Sequence, residues 1–174
     1  MTTNLRLPVV ALGFLLVGCG GDGDGGGDAS KPICSIGVTL AGDVEARFDV
    51  DDDVSCLIAH SSGSGIELSY IPAEEVSTIE LDIAEVTEGE TGADFPMTVV
   101  VNLDAGTRYT TGACTATLTE HRLDGTETTS IGELRNYVVV GTGSCAEPAL
   151  PPAPATGSIE LGALSFRIPA TWRD

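Results

Sequence analysis

Apolar and polar residues alternate along most of the chain after Ile33. A period of two is typical of a β-strand, because successive side chains of a strand point to opposite faces of the sheet. Glycine, aspartate, serine or proline interrupts the alternation at short intervals, which indicates turns between strands. The alternating stretches are residues 34–40, 44–50, 54–60, 66–70, 95–103, 108–121, 133–140 and 158–168.

Short alternating stretches at this spacing are typical of an antiparallel sandwich or barrel. We therefore predict an all-β fold, an antiparallel β-sandwich of the immunoglobulin-like or jelly-roll-like kind, forming one domain over residues 33–172. The pair Asp124-Gly125 predicts a tight hairpin turn between two long strands. A change of apolar phase near Gly162 predicts a bulge in the last strand.

Two segments depart from the simple alternation. Residues 73–86 fit both a helical and a strand pattern, and we predict a single helical turn after Pro72 that leads into a strand. Residues 146–157 contain four prolines. Because proline cannot join a central ladder, we predict an extended connection over the surface before the last strand.

The first residues of the chain have a pattern of their own. Residues 7–17 form an apolar run of eleven, too short to cross a bilayer as a helix but of the size of a secretory core region. The run ends in Leu16-Val17-Gly18-Cys19, which resembles the lipobox of bacterial lipoprotein precursors. The resemblance implies that residues 1–18 are a signal peptide, that cleavage falls before Cys19, and that Cys19 carries a diacylglyceryl group and palmitate-type acyl chains.

The resemblance also implies a location. Cys19 would anchor the chain in the bacterial cell envelope, and Gly20 rather than aspartate after it favours the outer membrane by the sorting rule of enteric bacteria. Residues 19–32 are rich in glycine and aspartate and hold no large apolar side chain after the cysteine. Such a segment cannot bury enough surface to fold, so we predict a flexible tether.

The charge of the chain restricts its partners. Asp and Glu number 26 against 8 Lys and Arg, a formal net charge of -18. Affinity for nucleic acid comes mainly from cationic side chains, so we expect no nucleic-acid partner. The expected partners are the membrane, through the lipid anchor, and an unidentified envelope or extracellular component.

Four cysteines remain beyond Cys19, and an even number in an exported chain indicates two disulfides. We favour the pairs Cys34–Cys56 and Cys114–Cys145, because sequential pairing keeps each bond inside one half of the domain. The rival, a four-cysteine zinc site, lacks the C-x-x-C pairs that zinc ribbons use.

Asp49, Asp51, Asp52 and Asp53 place four carboxylates at a predicted turn. Calcium takes six to eight oxygen ligands, and clustered aspartates can supply them, so these residues are a candidate calcium site. The alternative is a solvated acidic turn, for which aspartate is well suited. No other metal or cofactor is expected.

The sequence offers little for catalysis. His60 precedes a Ser/Gly stretch, but Ser62 stands where the G-x-S-x-G pattern needs its first glycine. His121 lies on the polar phase of its strand, and we predict that it faces solvent together with the threonines of residues 110–119. Tyr70 is expected in the core, and Trp172 is expected to hold the last strand on the domain.

We therefore predict a non-catalytic, lipid-anchored cell-envelope protein that acts as a surface binding or structural module. One alternative is a calcium-dependent binding or adhesion domain that uses residues 49–53. A second alternative is a secreted hydrolase, although no acid, base and nucleophile can be assembled from the sequence.

Overall fold

A computed structural model describes residues 34–50, 56–61, 65–71, 76–130 and 132–173. Within these residues the fold is all-β and contains no helix. The described residues therefore include no helix that is long and apolar enough to cross a membrane. The ten strands are β1 (Ser35–Gly42), β2 (Ala46–Val50), β3 (Cys56–Ser61), β4 (Gly65–Tyr70), β5 (Val76–Ala84), β6 (Gly92–Leu103), β7 (Arg108–Thr129), β8 (Gly132–Cys145), β9 (Ile159–Leu161) and β10 (Leu164–Arg173).

The strands join in one sheet in the order β2-β1-β10-β3-β4-β5-β6-β7-β8, with β9 paired to β1. The last strand closes this sheet. β10 is hydrogen-bonded along one side to β8, and along the other to β1 near its start and to β3 near its end. Strands β3 to β8 and β10 therefore form a closed ring, in which the described pairs are antiparallel except that between β10 and β3.

The apolar side chains of the alternating pattern fill the space enclosed by this sheet. On β4, and on β5 from Ile79 onward, every second side chain is buried, and on β10 the buried residues run from Leu164 to Trp172 at every second position. Burial of this kind is worth about 25 cal/mol per Å² of apolar surface, which is why the pattern specifies the fold. The largest fully buried side chains include those of Tyr70, Ile36, Leu40, Leu68, Ile79, Leu81, Met97 and Ile168.

The prediction of an all-β, antiparallel fold is confirmed, and Tyr70 lies in the core as expected. The finer prediction, a sandwich of two facing layers, stays a prediction. Residues 76–84 form a strand whose buried side includes Ile79, Leu81 and Ile83, as the strand pattern required. The helical turn expected after Pro72 lies outside the described residues.

The predicted hairpin turn at Asp124-Gly125 is wrong. β7 continues through both residues to Thr129, and β8 begins only at Gly132. The pairing of β7 with β8 shifts register between Leu123 and Gly125, so the Asp-Gly pair forms an irregularity within a strand. Gly132 instead takes the positive φ, at 129°, that a reversal of chain direction commonly requires.

The end of the chain follows the sequence pattern. The predicted bulge near Gly162 is a break between two strands, because Gly162 and Ala163 separate β9 from β10. Both strands pair with β1, so the apolar phase changes at this break. The proline-rich connection is not extended throughout, because the N–H of Ala155 donates to the carbonyl of Pro152 and closes a turn. It meets the sheet through the bridges of Leu150 with Thr110 and of Ala149 with Ile159.

The structure brings together the two cysteine pairs that sequential pairing favoured. Cys34 and Cys56 lie at disulfide distance with their Cα atoms 6.2 Å apart. Cys114 and Cys145 occupy opposite positions on β7 and β8, with their Cα atoms 4.0 Å apart. The first bond ties the start of β1 to β3, and the second ties the two longest strands together.

Candidate functional site

The outward face of five neighbouring strands carries a row of residues that are small or polar. Thr117 of β7 lies opposite Thr142 of β8, and Thr142 lies opposite Ser165 of β10. Ser165 also pairs with Gly37 of β1, which in turn pairs with Asp49 of β2. Because neighbouring strands are about 4.8 Å apart, the row spans roughly 19 Å.

The core explains why these residues face outward. Leu164 and Phe166 on either side of Ser165 are 2% exposed, and Ala116 and Leu118 beside Thr117 are equally buried. Since side chains of a strand alternate between faces, burial of these apolar residues turns the intervening hydroxyl groups to the outside.

Two adjoining cavities lie along this row. One, of about 380 Å³, is lined by Thr115, Thr117, Thr142, Gly143, Ser144, Ala163, Leu164 and Ser165. The other, of about 240 Å³, is lined by Gly37, Val38, Thr39, Arg47, Phe48, Asp49, Ala163 and Ser165. Because they share Ala163 and Ser165, we treat them as one feature and call it the hydroxyl groove.

Gly37 keeps the middle of the hydroxyl groove open. A Cβ atom at this position would stand 2.7 Å from the Oγ atom of Ser165. A side chain there would displace the Ser165 hydroxyl and fill the space where the two cavities meet. The absence of a side chain is therefore part of the shape of the groove.

The lining is almost entirely uncharged. Arg47 and Asp49 are its ionisable residues, and both are exposed on β2 at one end of the groove. They are two residues apart on one strand, so their side chains project to the same side. That end therefore offers a guanidinium donor beside a carboxylate acceptor, while the other end offers hydroxyls.

The hydroxyls of the groove are free to bind a ligand. No described protein group forms a hydrogen bond with the side chains of Thr115, Thr117, Thr142, Ser144 or Ser165. Each hydroxyl can donate one hydrogen bond and accept two. An activated serine or threonine would need a base within hydrogen-bond reach, and the described lining places no histidine or lysine there.

A second polar cluster lies at the other end of β10. The prediction that His121 faces solvent is wrong, because its side chain is buried at 6% exposure. The pairing of β7 with β8 shifts register between Leu118 and Glu120. One extra residue reverses the faces of all those beyond it, so His121 moves from the polar side of the strand to the buried side.

Both ring nitrogens of His121 contact the backbone of the loop between β5 and β6. Nδ1 is 2.9 Å from the carbonyl oxygen of Glu90, and the amide N–H of Gly89 donates to Nε2 at 3.4 Å. Because the carbonyl only accepts and the amide only donates, the neutral ring with its proton on Nδ1 satisfies both. Burial lowers the pKa of His121 below 6.5, although the Glu90 carbonyl and the carboxylates of Glu88 and Glu90 oppose this effect.

Aromatic and charged side chains complete this cluster. The His121 ring centre is 4.6 Å from that of Trp172 and 5.0 Å from that of Tyr137. The Tyr137 hydroxyl donates to Oε1 of Glu88 at 2.7 Å, and Arg135 contacts both oxygens of the same carboxylate. The cluster holds the loop at Glu88, Gly89 and Glu90 against β7 and β8, so its histidine and the Glu88 carboxylate are both engaged in positioning the loop. Trp172 contributes to it as a buried residue of the last strand, which agrees with its predicted role.

The structure describes only some of the candidate site residues that were predicted from the sequence. Asp49 is described, but Asp51, Asp52 and Asp53 lie outside the described residues, and the calcium site stays a prediction. In the described part of the chain no three His, Cys, Asp or Glu side chains are grouped to hold a metal ion. Cys19 and its lipobox also lie outside the described residues. His60 on β3 pairs with Glu67 and Thr171 by register.

The hydroxyl groove was not predicted from the sequence. The threonines of residues 110–119 were expected on a solvated strand surface. Thr115 and Thr117 do face outward, but Thr111 is buried at 5% exposure, because the pairing of β6 with β7 shifts register between Thr111 and Cys114. The groove also needs the last strand beside both β8 and β1. That adjacency joins residues more than a hundred positions apart. The signal in the sequence is the run of hydroxyl residues at alternate positions of β7 and β8.

Comparison with protein-family models, with curated proteins and with solved structures finds no match to this chain.

Proposed function

We propose that this chain is a non-catalytic, lipid-anchored protein of the bacterial cell envelope and that the hydroxyl groove is its binding site. The observation that carries the proposal is the groove itself, a concave surface crossing five strands and lined by uncommitted hydroxyls. Ligand sites are typically concave, with a few polar groups that fix the orientation of the ligand.

The composition of the lining supports binding without reaction. Its ionisable residues, Arg47 and Asp49, lie together at one end, and the remaining polar groups in the described lining are hydroxyls. General acid–base catalysis needs a proton donor or acceptor within reach of the reacting atoms. His121, the histidine whose side chain is described, has both ring nitrogens occupied by the loop that it holds.

Two features of the chain support an envelope location. Leu16-Val17-Gly18-Cys19 resembles a lipobox, and residues 20–32 would separate the domain from the lipid surface. The two cysteine pairs at disulfide distance fit an oxidising compartment outside the cytoplasm. Two or three acyl chains, each methylene contributing about 0.8 kcal/mol, would hold Cys19 in the membrane. Gly20 after the cysteine favours the outer membrane.

Labelling with radioactive palmitate tests the anchor. The unmodified chain, expressed in a bacterium with the lipoprotein pathway, should incorporate the label and sediment with the membranes. The Cys19→Ser variant should do neither, and a Ser30→Ala variant, which changes the tether and leaves the lipobox intact, serves as the control that keeps the label. Equal labelling of the unmodified chain and Cys19→Ser, or labelling of neither, would contradict the proposed anchor.

A further inference from the structure

The chemistry of the hydroxyl groove also restricts its ligand, and this step rests on the binding function proposed above. We infer that the groove binds a neutral glycan, an uncharged chain of sugar residues lying across β7, β8, β10, β1 and β2. Sugar rings present neighbouring hydroxyls that both donate and accept hydrogen bonds. Thr115, Thr142 and Ser165 present the same kind of group from the protein side.

The hydroxyls form a regular grid. Thr115 lies opposite Ser144 on the neighbouring strand, and Thr117 lies opposite Thr142. The two rows are about 7 Å apart along the strands, and neighbours within a row are about 4.8 Å apart across them. A glycan that crosses the strands therefore meets a hydroxyl group on each of β7, β8 and β10. Its own hydroxyls can take the place of solvent water as hydrogen-bond partners of these groups.

An extended peptide fits this surface less well. Peptides that add to a sheet bind the free backbone groups of an edge strand. The centre of the groove lies over β8 and β10, and each of these strands has a hydrogen-bonded neighbour on both sides. Their backbone groups are occupied by the ladder, so the groove offers side-chain hydroxyls in place of an unpaired strand.

A polyanion is disfavoured by charge. Arg47 is the cation of the described lining, and Asp49 projects beside it. The chain as a whole carries a formal charge of -18, which repels phosphate or sulfate polymers. The Arg47 guanidinium can instead donate to one sugar hydroxyl, while the Asp49 carboxylate accepts from a neighbouring one. This pair extends the polar surface of the groove without favouring a charged ligand.

Binding of defined glycans to the anchored full chain in detergent micelles tests the inference. The probes are neutral hexasaccharides of β-1,4-linked N-acetylglucosamine, β-1,4-linked glucose and α-1,4-linked glucose, with polyphosphate and an uncharged ten-residue peptide as comparisons. Titration calorimetry should show at least one hexasaccharide binding with a Kd of micromolar to millimolar order, and neither comparison probe.

Variants locate the binding. Thr142→Val and Ser165→Ala each remove one hydroxyl and should weaken binding about 2- to 10-fold, and the double variant should weaken it further. Gly37→Leu fills the junction of the two cavities and should abolish it. Thr128→Val is the matched control, an exposed threonine of β7 far from the groove, and should bind as the unmodified chain does. Thermal melting of each variant verifies that it is folded.

The outcomes separate the ligand class from the proposed function. No binding of any hexasaccharide, or equal losses in Thr142→Val and Thr128→Val, overturns the inference. Binding of the peptide or polyphosphate that Gly37→Leu abolishes would also overturn it, but would leave the binding function standing. Release of new reducing ends from a bound hexasaccharide would contradict the non-catalytic function while supporting the ligand class.

Discussion

A single extra residue in β7 determines the environment of His121. Alternation from Thr115 onward predicts an exposed side chain, and the register shift after Leu118 places it in the interior instead. Sequence alone does not reveal such a shift, because both phases of the strand remain plausible until the partner strand is known. The apolar phase of β1, β4 and β10, by contrast, was readable directly, since the buried side of each of these strands is continuous.

We predict that protonation of His121 destabilises the domain. Its pKa is lowered in the folded protein, so the stabilisation is complete above the unfolded value of 6.5 and is lost as the pH falls toward the folded value. Protonation would put a proton on Nε2, where it would point at the N–H of Gly89 and break that hydrogen bond. The charged and polar side chains near this contact are those of Glu88, Glu90, Arg135 and Tyr137. Urea midpoints measured from about pH 8 to about pH 5 should fall more steeply for the unmodified chain than for His121→Asn. Parallel curves for the two proteins would contradict the prediction.

We predict that Tyr70→Phe stabilises the domain. The Tyr70 hydroxyl is fully buried and has no hydrogen-bond partner among the described residues. Leaving a buried polar group unsatisfied costs about 1–3 kcal/mol, so its removal should raise the free energy of unfolding by about 1 kcal/mol.

Tyr109→Phe is the matched control for this change. Its hydroxyl donates to Oδ2 of Asp43 at 2.9 Å, so the same substitution should lower the free energy of unfolding by about 1 kcal/mol. Urea denaturation measures both. Destabilisation by Tyr70→Phe of the size found for Tyr109→Phe would show that the Tyr70 hydroxyl has a partner.

The positions of most strands could be predicted from the sequence, but the pairing of one strand with another could not. Period-two alternation located nearly every strand, because burial of one face imposes that period on the sequence. The turn at Asp124-Gly125 was misplaced, since a turn-forming pair can also be accommodated as an irregularity within a strand. The contacts of β10 with β8, β1 and β3 depend on the closing of the whole sheet, and no local pattern encodes them. The groove depends on those contacts.

We predict that the Cys114–Cys145 bond contributes strongly to stability. It closes a loop with a sequence separation of 31 residues, which corresponds to about 4 kcal/mol through the entropy of the unfolded chain. The Cys114→Ala/Cys145→Ala double variant should therefore lose about that much free energy of unfolding in urea. Peptide mapping without reductant identifies the pairs in the unmodified chain. Unchanged stability, or a peptide joining Cys114 to Cys34, would contradict the prediction.

The acidic segment between β2 and β3 gives a test by metal removal. The proposed function requires no metal, so we expect the melting temperature to differ by less than about one degree between excess calcium and excess chelator. A cation bound by Asp49, Asp51, Asp52 and Asp53 would stabilise the native state in proportion to its occupancy. An increase of several degrees with calcium, lost in Asp51→Asn, would favour the calcium-dependent alternative.

We propose that the whole molecule consists of a lipid anchor, a flexible tether and one β-domain. The domain is strongly acidic, with a formal charge of -18 for the chain, and the anionic head groups of a membrane should repel it. A glycine-rich tether would let the domain stand off the lipid surface, where the hydroxyl groove remains open to solvent and to large glycans.

We propose that the chain works outside the cytoplasm as an anchored binding domain, and that location determines the chemical state of every cysteine. Intact-mass spectrometry of the chain from bacterial membranes, after treatment with a thiol alkylator, measures all of them together. We expect a chain that begins at an acylated Cys19 and carries no alkylated thiol, because the other four cysteines form two bonds. A chain that begins at Met1 with alkylated cysteines would contradict the claim.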